Sequence, residues 1–155
     1  MRTVTFKNVY VQARSAVVGP LEKEGPLGSL FDKSFEDAYC GESSFEKAER
    51  VLLGDAVDLT LRKAGKGVQD IYLLVGGDLI NQLTSSHYFA KDLEVPFLGM
   101  YGACSTSSLV IGTGAVWVEH GLARQVLAFT SSHVATAERQ FRFPNEYGIQ
   151  KKETT

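Results

Sequence analysis

Three short apolar runs constrain the fold more than any other feature of the chain. They are "DIYLLVGGD" (Asp70 to Asp78), "PFLGMYG" (Pro96 to Gly102) and "RQVLAFTSS" (Arg124 to Ser132). Each is close to continuous in apolar residues instead of alternating with polar ones. Strands covered on both faces, as in parallel sheets, carry this pattern. Stretches of helical length separate the runs, and alternating strands and helices imply an α/β fold with a mainly parallel sheet. Ligands collect at the carboxyl ends of strands in such sheets. Three conspicuous stretches fall there: "GGDLINQ", "YGACSTSS" and "TSSHVATAE".

The intervening segments read as follows. Ser43 to Glu46 fits an S-x-x-E capping box opening a helix. Phe45, Ala48, Leu52, Ala56 and Leu59 predict its apolar stripe, Glu46 and Arg50 an i,i+4 pair, and Gly65 its stop. A short helix is expected over Ser85 to Leu93, capped by Thr84 or Ser85. Ser105 to Gly121 is apolar nearly all round and predicts a buried central helix. Its Gly112 and Gly114 cost roughly 1 kcal/mol each in helix propensity, tolerable where another backbone packs closely. Upstream, Asn8 to Val18 reads as extended. Gly19 to Gly41 reads as a long ordered loop with a helical turn near Ser34–Tyr39, and loops of this length tend to be functional or to pack on a partner.

The chain has 155 residues, 44% hydrophobic and 22% charged, with a formal net charge of −2. This implies one soluble domain over residues 1–155, able to bury a core without disulfides or metal. Near-neutral charge excludes a strong field toward nucleic acid or an acidic membrane. Cys40 and Cys104 form no CxxC pair and no zinc-spaced cluster with histidine, so no structural metal is expected. The N-terminus lacks a signal-peptide core, and no apolar run is long enough to span a bilayer. An intracellular protein with reduced thiols is expected, with peripheral attachment to a membrane complex left open.

Cys104 falls in a strand-to-helix turn. Unpaired amides and the positive end of the helix dipole favour a thiolate there. The competing reading is that Gly102, Ala103 and Cys104 are small because the turn is crowded. A nucleophile would also need an oriented base and an oxyanion hole. His120, at a helix end beside Gly121, reads as structural, and His87 as solvated. His133, just past a strand at the presumed active edge, is the better candidate for a pocket. In "ERQFRF", Arg139 and Arg142 suit carboxylates or phosphates, against pairing with Glu138 or Glu146 on a solvated loop. "VGGDL" matches no phosphate-loop pattern, and Asp78 reads as a turn or cap residue.

The stretches "EGPLGSLFDK", "AGKGVQDIYLLVGGDLINQ", "VPFLGMYGACSTS" and "TSSHVATAERQFRFPNEYG" resemble the stage V sporulation protein AD family of spore-forming Firmicutes, collinearly from about Gly19 to Gly148. The resemblance implies a thiolase-like fold, of which this chain carries the N-terminal half. Cys104 falls where thiolases and ketoacyl synthases carry their acyl-accepting cysteine. The second-half histidines, or histidine and asparagine, that such condensation requires are absent, as is the apolar strand expected after the "EYG" loop. The family implies binding of dipicolinic acid (pyridine-2,6-dicarboxylate), alone or as its calcium chelate, and no cofactor. It also implies membrane partners encoded in the same sporulation operon. The place of work would be the cytoplasmic side or surface of the spore or forespore membrane, during uptake in sporulation and release in germination. Residue chemistry gives candidate ligand contacts: Cys104, amides near Ser105 and Thr106, hydroxyls of Ser131 and Ser132, and His133 or Arg139. Half a fold is expected to expose apolar surface and to self-associate, as a homodimer or otherwise. The alternatives are an acyltransferase or condensing enzyme using Cys104, and an architectural subunit with a vestigial pocket.

Overall fold

The computed structural model describes residues 3–141, with side-chain surroundings through residue 137. Two short strands come first: β1 (Val17–Val18) and β2 (Lys33–Ser34) pair with each other in parallel, with α1 (Pro20–Lys23) between them. The helical turn expected near Ser34–Tyr39 is therefore displaced: helical structure in this loop falls at α1 and at a single 3-10 turn, Gly28–Leu30. Pro20 explains the shift, since its fixed φ suits the first turn of a helix.

The main sheet has three parallel strands. β3 (Leu73–Asp78) is central, flanked by β4 (Phe97–Gly99) and β5 (Val126–Ser131). Val75 lies opposite Leu98 on one side and Ala128 on the other, and Asp78 lies opposite Ser131. All six residues of β3 are buried. Alternate side chains feed two cores. Leu74 joins Leu53, Val57, Leu61, Ala90, Leu127 and Phe129 beneath α2 (Phe45–Ala64) and α3 (Thr84–Lys91). Leu73 and Val75 join Val110 of α4 (Thr106–Glu119), with Met100, Trp117 and Val126 packed around them. α5 (Val134–Phe141) follows β5 after a two-residue turn.

Helix ends depart from expectation in instructive ways. The α2 cap is Ser44, whose hydroxyl accepts from the Lys47 amide at 3.3 Å, while Ser43 contacts the Lys47 ammonium. The buried stripe is Ala48, Glu49, Leu53, Val57 and Leu61. It is turned relative to the predicted one because α2 packs against both α3 and β5. Arg50 lies over the Tyr88 ring, 5.4 Å from its centroid. Gly65 closes the helix in the left-handed conformation, φ 62°, as its position predicts. In α4 only Thr106, Val110 and Gly114 are buried, and Ile111 is 59% exposed. The helix is thus covered on one face rather than all round. Gly114 packs against Val126, whereas a Cβ on Gly112 would meet nothing within 4 Å.

The Gly76–Gly77 pair is a packing requirement. A Cβ on Gly77 would lie 1.9 Å from the Met100 carbonyl oxygen, and one on Gly76 2.2 Å from the Phe129 ring. Gly77→Ala is expected to destabilise the fold by about 3 kcal/mol, the upper range for overpacking, because backbone cannot yield as a side chain can. Gly112→Ala is expected to be neutral or to stabilise by up to about 1 kcal/mol. Urea denaturation of the two variants checks the contrast.

Candidate functional site

The carboxyl ends of β3 and β5 and the turn leading into α4 enclose a shallow pocket of about 330 Å³, lined by Leu79, Ala103, Cys104, Ser107, Thr130, Ser131 and Ser132. The turn is held by its own side chains. Thr106 Oγ1 donates to the Ala103 carbonyl at 2.8 Å and accepts from the Gly102 amide at 3.1 Å. Ser105 Oγ donates to the Gly102 carbonyl at 2.7 Å. Between these anchors Ala103 adopts φ +46°, a left-handed conformation that costs a residue with a Cβ about 1 kcal/mol or more. The following residue, Cys104, is exposed with a free thiol. The turn thus leaves Cys104 on the pocket wall.

Of the residues singled out from sequence, Cys104, Ser131 and Ser132 line this pocket together. Ser105 and Thr106 stand beside it, with their hydroxyls engaged in the turn. His133 is 6% exposed and points elsewhere. Its Nε2 donates to the Ala38 carbonyl at 2.8 Å, its Nδ1 accepts from the Ala135 amide at 3.2 Å, and its ring stacks on Phe45. Tyr39 stacks on the other side of Phe45, with 4.5 Å between centroids. His133 thereby ties the long N-terminal loop to the start of α5. The Arg139 side chain, and Arg142 with its neighbours, lie outside the described residues.

Two buried carboxylates stand behind the wall. Asp78, at the end of β3, accepts the amides of Ser85 and Ser86 at 2.8 Å each, and the Ser86 hydroxyl. It is the cap of α3, supplied by the preceding strand rather than by the expected Thr84 or Ser85; Leu83 at the cap position itself is left-handed, φ 53°. Glu49 is 1% exposed. Its Oε1 accepts from Ser131 Oγ at 2.7 Å, and its Oε2 lies 2.8 Å from Thr136 Oγ1. Burial pushes both carboxyls above their ordinary range, against the pull of their hydrogen bonds. Sequence reading passed over Glu49 and Thr136. The available signal was a charged residue in the middle of an apolar helical stripe.

The architecture defines the class. The 3-oxoacyl-[acyl-carrier-protein] synthase III of Aquifex aeolicus VF5 superposes with a TM-score of 0.52 at 17% identity, over 57% of this chain and 31% of that one. The fold is thiolase-like. Sequence comparison then gives the family. The model of stage V sporulation protein AD matches residues 1–155, and the Bacillus subtilis (strain 168) stage V sporulation protein AD is 49% identical over 146 residues. The chain belongs to the stage V sporulation protein AD family. It spans 43% of the length of that relative, with 94% of its own residues aligned.

Because the folded state raises the Glu49 value, it holds that proton more tightly than the unfolded chain does. The stability this confers is complete below the ordinary glutamate value of 4.5 and is lost as pH rises through the raised one. Glu49→Gln keeps an acceptor for Ser131 and a donor for Thr136 without a charge. Its stability relative to the parent is expected to rise with pH, by at most about 1.4 kcal/mol per pH unit. Urea midpoints from pH 5 to pH 9, on a scale of roughly one-unit steps, read the difference.

Proposed function

We propose that this chain is a dipicolinate-binding accessory subunit of a spore membrane transport assembly, serving uptake in sporulation and release in germination. The observation that carries the reading is the pocket of a sporulation-family chain, lined by an exposed cysteine together with Ser107, Thr130, Ser131 and Ser132. Dipicolinate is a flat dianion with a ring nitrogen. Hydroxyl donors beside a helix N-terminus suit its carboxylates, and Leu79 and Ala103 supply apolar wall. The calcium chelate would present the same ring with part of its charge neutralised. Family membership supports membrane subunits of the same operon as partners and a peripheral position at the spore or forespore membrane. Among the described residues no helix is long and apolar enough to cross a membrane. Self-association finds support in exposed Tyr10, Val11 and Ile111 around a groove of about 440 Å³ that also takes in residues of β5.

One observation favours a second reading, an acyltransferase or condensing enzyme. Ala103 spends backbone strain to expose Cys104, as covalent catalysts do with their nucleophiles. Against it stands His133, both of whose ring nitrogens are engaged away from the sulfur.

Titration calorimetry with pyridine-2,6-dicarboxylate separates the possibilities. Cys104→Ala and Ser131→Ala are each expected to weaken binding by about tenfold, the worth of one good polar contact. Unchanged affinity in both variants would remove the pocket from the proposal. A stable mass adduct on Cys104 after exposure to an acyl-coenzyme A would favour the enzyme.

A further inference from the structure

We draw no further inference here: the strongest candidate, the apolar groove of about 440 Å³ that residues 9–15 form with α2, α4 and β5, carries nothing, because nothing among the described residues shows what covers it.

Discussion

The fold depends on burying one strand completely. β3 has neighbours on both edges and helices on both faces, so every one of its side chains must be apolar, absent or internally satisfied. Leu73, Leu74 and Val75 meet the first condition, and Gly76 and Gly77 the second. Asp78 meets the third by taking the amides of α3 into its carboxyl. The same strand therefore fixes three things at once: the approach of Met100 and Phe129, the start of α3, and the level at which the sheet ends and the pocket begins. A buried carboxylate is costly alone. Here it serves as the remote cap of a helix whose own cap position holds a leucine.

The sheet and the stop of α2 were legible in sequence for a physical reason. Continuous apolar runs have few alternatives in a chain of this size, and Gly65 ends α2 where a left-handed residue is needed. The strand edges, and the convergence of "YGACSTSS" with "TSSH", followed from the same pattern. What sequence could not resolve depended on partners distant along the chain. Asp78 was readable as a cap, but the helix that it caps was assigned the nearer Thr84 or Ser85. The rotation of α2 was missed because Glu49 counts as polar in any periodicity, whereas Ser131 and Thr136 make it a buried residue. The apolar circumference of α4 predicted burial all round, yet a stripe is covered only where an element lies against it.

The candidate site shows the same division. Small and hydroxylated residues at a strand edge were enough to place Cys104, Ser131 and Ser132 together. Residue type alone could not separate hydroxyls that line a pocket from hydroxyls that build the turn beneath it. Ser105 and Thr106 hold Ala103 in its left-handed conformation, so they act on the pocket through geometry. His133 illustrates the limit from the other side. A histidine after a strand at an active edge is a reasonable base, but here its two nitrogens fasten the loop at Ala38 to the first turn of α5.

Covalent chemistry and ligand binding make different demands on the turn that carries Cys104. The left-handed Ala103 before the exposed sulfur is held by hydrogen bonds within the turn itself. Covalent chemistry would further require a group able to take the thiol proton, and the nearest candidate from sequence is already committed. A binding pocket requires something different: donors whose direction is fixed before the ligand arrives, because each donor that must be reoriented subtracts from affinity. Hydroxyls are poor at this unless a neighbour sets their rotation. Glu49 is such a neighbour for Ser131, holding its hydroxyl at 2.7 Å from a position out of solvent. A buried carboxyl is costly inside an apolar helix stripe, and the Ser131 and Thr136 hydroxyls offset that cost for Glu49.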